Sequence, residues 1–142
     1  MTTAAETAAI ARRVLALERA ALDRWGKGDP GGCLDLSAAE VSYFDPFTEH
    51  RLDGHAALSA WYESIREKIH IDRDEIIDPR AQVAGDCAIL TFRFVSQGSE
   101  GTARWNCTEV YQRFGEEWKI VHSHWSFTRA EAAAGMGPGS TG

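Results

Sequence analysis

No run of apolar residues in this chain approaches the roughly 20 that a membrane-spanning helix needs, so none is expected. The N-terminus lacks a basic stretch followed by an apolar core; no signal peptide is expected, and cytoplasmic is the default location. Cysteine is scarce. Cys33, Cys87 and Cys107 form an odd set without CxxC spacing, which is neither a disulfide framework nor a zinc signature. Each is expected to fill a small apolar space in a reducing compartment. Positive charge is also in deficit: 15 Lys and Arg against 21 Asp and Glu give a net charge of −6. That balance argues against nucleic acid and against an anionic membrane surface as partners. The chain has no glycine-rich phosphate loop, no GxSxG elbow and no Ser-His-Asp order, so phosphoryl transfer and serine hydrolysis are poor readings. There is no internal repeat and no cofactor motif, and no cofactor is expected.

What is present is an ordinary globular composition over 142 residues, enough for one domain with one good core. Residues 1–9 read as a flexible start, 10–129 as the domain, and the Ala/Gly-rich stretch 130–142 as a flexible tail. From Ala8, the apolar residues Ile10, Val14, Leu17, Ala21 and Trp25 recur at helical steps, with Glu18, Arg19 and Arg24 placed mostly on the other side. Asp29-Pro30 reads as the start of a short second helix, and Asp53 as the cap of a third helix running from Gly54 to Ile69. Val41 to Asp45 reads as a strand. Ile71 to Val83 follows as a strand broken near Asp78-Pro79, by a bulge or at an edge. Cys87 to Ser96, Thr102 to Phe114 and Glu117 to Thr128 read as long strands, with a loop at Gln97 to Gly101 and a hairpin at Gly115-Glu116. Helices early and strands late predict an α+β fold: a cone-shaped, curved, mostly antiparallel (mixed) sheet with about three helices on its concave face. The long strands look apolar on both faces, which predicts a homodimer through the outer sheet face.

The chemistry is carried by a few residues. Asp45 sits between aromatic residues in Tyr43-Phe44-Asp45-Pro46-Phe47, either as a base or acceptor at a cavity mouth, its pKa raised by apolar neighbours, or as a turn aspartate. His122 and His124 share a strand side with Trp118 and Ile120; they line the cavity if that side faces inward, and otherwise belong to core and interface. Two histidines so spaced can chelate a metal, but no third ligand is assembled and no metal is expected. Arg93 either binds a ligand carboxylate or pairs with Glu109 on a neighbouring strand. Trp25, Tyr43, Phe47, Trp61, Tyr62 and Tyr111, together with Arg93 and Glu109, complete the candidate ligand-binding set.

The junction Gly28-Asp29, the segment Phe44-Asp45-Pro46-Phe47, the run Leu52-Asp53-Gly54-His55-Ala56-Ala57-Leu58 leading to Trp61-Tyr62, and the closing strand through Trp125-Ser126 together resemble the nuclear transport factor 2-like superfamily over residues 10–128. That group includes SnoaL-like cyclases, ketosteroid isomerases and the calcium/calmodulin-dependent kinase II association domain. The resemblance implies a small-molecule pocket and a dimer, and Asp45 looks like the isomerases' proton-moving acid. Where those isomerases carry a first-helix tyrosine this chain has Ala21, and where they carry a strand acid it has Val110, with Glu109 one residue away. Val121 to Ser126, Ile76-Ile77-Asp78-Pro79 and Arg93 look most like the kinase association domain, where the fold assembles subunits. The resulting expectation is a SnoaL-like domain binding a small, largely apolar ligand, with cofactor-free proton transfer of the isomerase, cyclase or dehydratase type. The alternative is a ligand-sensing or oligomerisation module.

Overall fold

The computed structural model describes residues 2–129; the tail predicted at 130–142 lies outside them. The first helix, α1, spans Ala4–Gly26 and so begins four residues before the apolar periodicity does. A reciprocal cap explains the early start: the Glu6 amide donates to Thr3 Oγ1 at 3.0 Å, and the Thr3 amide donates to Glu6 Oε1 at 3.2 Å. The short helix α2 spans Gly31–Leu36, and Asp29 Oδ1 accepts from the Gly31 amide at 2.9 Å to start it. Gly32 faces α1; a β-carbon there would lie 3.3 Å from the Ala21 Cα, so the close approach of α2 to α1 would have to ease by a few tenths of an ångström to take a side chain here. Helix α3 spans His55–Ile65 and continues as a 3₁₀ turn over Arg66–Lys68, shorter than the single helix expected. Asp53 does not cap it. The Asp53 carboxylate holds Arg51 at 2.6 Å instead, and Gly54 occupies the cap with φ 94°.

The strands are β1 (Ser37–Phe44), β2 (Leu52–Asp53), β3 (Arg73–Ala84), β4 (Cys87–Gly98), β5 (Gly101–Phe114) and β6 (Glu117–Phe127). They form one sheet in the order β2-β1-β6-β5-β4-β3, antiparallel except for the β1–β6 pair. The fold is therefore α+β, with a curved mixed sheet of the predicted kind and α1 and α3 packed on it. β3 lies at the edge, and its register shifts between Ile77 and Arg80, with Asp78 at φ 51°. Pro79 has no amide to donate, so a break at an edge leaves no neighbouring ladder incomplete. The predicted loop at Gln97–Gly101 is instead a tight turn, because Gly98 pairs directly with Gly101.

The core lies between the helices and the inner sheet face. Val14 and Leu22 of α1 and Leu58 of α3 meet Leu90, Phe92 and Phe94 of β4, with Tyr111 of β5 and Ile120 of β6. Leu58 is 1% exposed. Leu58→Ala should lower the unfolding free energy by about 3 kcal/mol, read as a shift in the denaturant midpoint at constant slope. The outer sheet face is less apolar than expected. Ile89, Val95 and Val110 lie on it, but so do the exposed Arg93, Asn106, Gln112 and His124.

One irregularity decides what faces inward. The β5–β6 register shifts between Val110 and Tyr111: Tyr111 pairs with Ile120, while Val110 pairs with His122. Val121 is the extra residue of a bulge, and it reverses the alternation of β6. Trp118 and Ile120 face the core before it, and Ser123 and Trp125 face the core after it. His122 and His124 are carried to the outer face.

Candidate functional site

The helices do not fill the concave side of the sheet. A cavity of about 120 Å³ remains, lined by Leu22 and Trp25 of α1, Cys33 of α2, Tyr43, Asp45, Phe47, Tyr62, Ile65, Ile71, Phe94, Ser96, Trp105, Glu109 and Trp125. Aromatic rings dominate the wall. Trp25 meets Tyr62 edge-on at 4.7 Å, Tyr62 meets Tyr43 at 5.5 Å, and Trp125 stands 5.7 Å from Phe94 and 6.0 Å from Trp105. Phe47 is 62% exposed, yet it reaches Trp105 at 6.1 Å and Phe127 at 5.7 Å, so it covers one side of the mouth.

Asp45 ties that mouth together. Its Oδ2 accepts from the Tyr43 hydroxyl at 2.7 Å and from the Trp61 indole N–H at 2.9 Å. Its Oδ1 accepts from the Phe47 amide at 2.8 Å and from the Thr48 amide at 3.0 Å. A carboxylate offers about four in-plane acceptor positions, and here each has a donor. Asp45 is thus both the turn residue and the cavity residue that the sequence left as alternatives.

A second carboxyl group lies deeper. Glu109 is 3% exposed, and Glu18 of α1, behind it, is 1% exposed. The two carboxyl groups lie close enough to influence one another, and the Tyr111 hydroxyl donates to Glu18 Oε1 at 2.7 Å. Burial raises both acids, Glu109 well above the usual carboxylate range because the neighbouring Glu18 adds to the effect. The nearby Ser123 hydroxyl and Cys107 thiol oppose the rise. Glu109 Oε1 is buried and has no hydrogen-bond partner. A pair of like charges in so dry a place retains a proton rather than ionising twice.

The cavity therefore brings together Trp25, Tyr43, Asp45, Phe47, Tyr62 and Glu109 from the predicted set. Trp61 supports it from behind through Asp45, and Tyr111, fully buried, through Glu18. Arg93 and the two histidines do not reach it. Arg93 is exposed and pairs across the sheet with Asn106, not with Glu109, so the expected ion pair is not formed. His122 Nδ1 lies 2.7 Å from Ser42 Oγ, and both histidine rings pack on Phe44. Desolvation, followed by its neighbour His124, lowers the His122 pKa. Val110, where the resemblance placed an acid, faces outward, and Glu109 is the residue that faces in. Among the described residues no three His, Cys, Asp or Glu side chains converge on a metal-binding position. Nor is any described helix long and apolar enough to cross a membrane.

Glu18, Ser96 and Trp125 were not anticipated. For Glu18 the signal was available: Val14, Glu18 and Leu22 are spaced at four-residue steps, which places the acid within the apolar stripe.

A curved mixed sheet closed by helices around a ring-lined hollow defines the class of α+β domain to which the chain belongs. The chain belongs to the SnoaL-like domain family, which matches residues 14–130. A protein of Parabacteroides distasonis, provisionally named a ketosteroid isomerase, is 37% identical, with a TM-score of 0.75 over 82% of this chain and 86% of that one. A nuclear transport factor 2-like protein of unknown function from Pseudomonas putida shares the fold at 19% identity, with a TM-score of 0.75 over 87% and 92% of the two chains. The CaMKII hub of S. rosetta is 26% identical, with a TM-score of 0.68 over 82% and 95%. Among curated proteins, none matches this chain at a significant level.

Proposed function

We propose that this SnoaL-like domain binds a small, largely apolar organic molecule in the hollow and moves a proton on it without a cofactor, with Glu109 as the group that takes and returns the proton. The observation that carries this reading is the position of Glu109: a nearly fully buried carboxyl group on the wall of an aromatic cavity, with one oxygen unpartnered. A carboxyl raised by burial and by a second acid lies closer to neutrality than a surface glutamate, which suits general acid–base work. Asp45 shapes and anchors the mouth. It is a weaker candidate for the base because all four of its acceptor positions are engaged.

Size sets the substrate class. Pockets for drug-sized ligands hold roughly 300–1,000 Å³, and a 150 Å³ apolar cavity takes benzene. At about 120 Å³ this hollow suits one ring or its aliphatic equivalent, not a four-ring steroid. The test is a thermal-shift screen of single-ring ketones, enones and alcohols, followed by NMR of deuterium incorporation from D₂O into any binder. Glu109→Gln should slow that exchange by about 10²–10⁴-fold, with ligand binding retained. Exchange at the wild-type rate in the variant would remove Glu109 from the role.

The S. rosetta hub supports a second reading, an assembly module working through the outer sheet face around Arg93, Val110 and His124. Sedimentation decides it: a homodimer or larger ring that Val110→Arg breaks supports assembly, and a wild-type monomer removes it.

A further inference from the structure

Four of the polar hydrogens in and behind the wall of the hollow are directed at protein acceptors. Tyr43 donates to Asp45 at 2.7 Å, Trp105 to Ser96 at 3.4 Å, Trp125 to Ser123 at 3.2 Å, and Tyr111 to Glu18 at 2.7 Å. An acceptor is left over, Glu109 Oε1, buried and unpartnered. Charge has the same sign as this imbalance. Asp45 and Glu109 line the hollow, Glu18 backs it, and no Lys, Arg or His is among the lining residues. The rest of the wall presents ring faces and edges, with Trp25, Trp105 and Trp125 the largest of them.

We infer that the ligand is a small organic cation, a protonated amine on a body of one ring or less, seated with its N–H groups toward Glu109 and its apolar part among the tryptophans. The inference rests on the reading of the hollow as a small-molecule site and adds the charge of the occupant. An ammonium supplies the donors that the orphaned acceptor lacks. It offsets part of the cost of keeping Glu18 and Glu109 side by side. Facing aromatic rings attract it through their quadrupoles, an effect that grows in a dry site. A carboxylate of the same shape would bring a third negative group and no donor. A neutral alcohol would satisfy the acceptor without easing the charge.

Three isosteres of one ring separate these cases at neutral pH: benzylammonium, benzyl alcohol and benzoate, titrated calorimetrically into the full chain. Benzylammonium should bind at least about tenfold more tightly than benzyl alcohol, and benzoate should give no heat. Glu109→Gln should remove the preference for the ammonium over the alcohol, so that the two bind within about threefold of each other. Near-UV circular dichroism of the variant shows that it is folded. Should Glu109→Gln fail to fold, Trp125→Leu serves instead and should weaken the ammonium more than the alcohol. If the alcohol or benzoate binds as well as the ammonium, the cation assignment is overturned while the small-molecule site stands. If none of the three binds, both fall together.

Discussion

Asp45→Ala should destabilise the protein by about 3–4 kcal/mol and open the mouth of the cavity. The magnitude follows from what the side chain holds. It accepts four hydrogen bonds, two from loop amides and two from the side chains of Tyr43 and Trp61. Bonds to a charged acceptor contribute about 1.5–3 kcal/mol each when well shielded, and less here because the loop is half exposed. The larger part of the loss comes from the side-chain donors. Tyr43 is 4% exposed, so its hydroxyl is left without an acceptor where water reaches poorly. Phe47 follows in the same turn, so its ring should leave Trp105 and the cavity should fill with water. Denaturant unfolding gives the stability change, and quenching of tryptophan fluorescence by acrylamide reports the opening. Asp45→Asn is the control. Its remaining carbonyl oxygen serves the two amides, and its NH₂ group faces Trp61 donor to donor, for a cost of about 1–2 kcal/mol. A fold that tolerates Asp45→Ala with less than about 1 kcal/mol lost would show that the mouth is held by packing and not by this carboxylate.

The turn around Asp45 was legible because Asp-Pro followed by an aromatic has a local mechanism, and so were the helices and the long strands. Register was not. Reading Gln97 to Gly101 as an open loop hides the fact that Gly98 pairs with Gly101, and turn length is what sets which residues lie opposite. With the two-residue turn in place Arg93 falls opposite Asn106 and Leu90 opposite Glu109, so arginine and acid project from opposite faces. The histidines show the same limit more sharply. Strict alternation places them with Trp118 and Ile120, and one bulge residue, Val121, moves them to the other side. Nothing in the local sequence marks that residue, because a valine suits a strand whether or not it is bulged. A site built on strands thus depends on long-range pairing that composition does not encode. Of the helix-borne half, Trp25 follows from spacing alone, while Glu18, read with the polar side of the helix, is buried in line with Val14 and Leu22.

These displacements share one consequence. The residues that sequence placed in the cavity as cations or titrating bases, Arg93, His122 and His124, lie on the outer face, and the groups that replace them inside are acids and rings. The interior is anionic and aromatic, and the outer face carries the basic side chains. Any ligand chemistry and any assembly chemistry are therefore separated by the thickness of one sheet, and substitutions on one side should leave the other largely unaffected.

The acid pair makes the stability of the whole domain depend on pH in an unusual direction. Glu18 and Glu109 are both raised above the ordinary glutamate value of 4.5, chiefly by burial. Below that value each is protonated whether the chain is folded or not, and the pair contributes nothing to pH dependence. Above it the unfolded chain releases protons that the folded chain keeps, so the native state binds more protons and unfolding becomes easier as pH rises. The loss continues up to the folded pKa and then levels off. For one retained proton the slope is about −1.4 kcal/mol per pH unit. The acids shifted the other way, Glu6, Asp29, Asp53 and Glu63, are exposed, and their contribution fades only as pH falls below about the ordinary values of 3.8 to 4.5. The two sets act on opposite sides of that range, so stability should peak in mild acid, near pH 5, and decline as pH rises from there toward the folded pKa of the pair. Glu109→Gln removes one of the two acids that share the retained proton and leaves a neutral amide of the same shape. It should match the wild type near pH 5 and exceed it increasingly above, by about 1.4 kcal/mol for each pH unit within the window. Urea unfolding at pH 5, 6, 7 and 8 measures both curves. Parallel curves for wild type and variant would mean that Glu109 ionises as freely inside the protein as out of it, and the proton-holding pair would have to be abandoned.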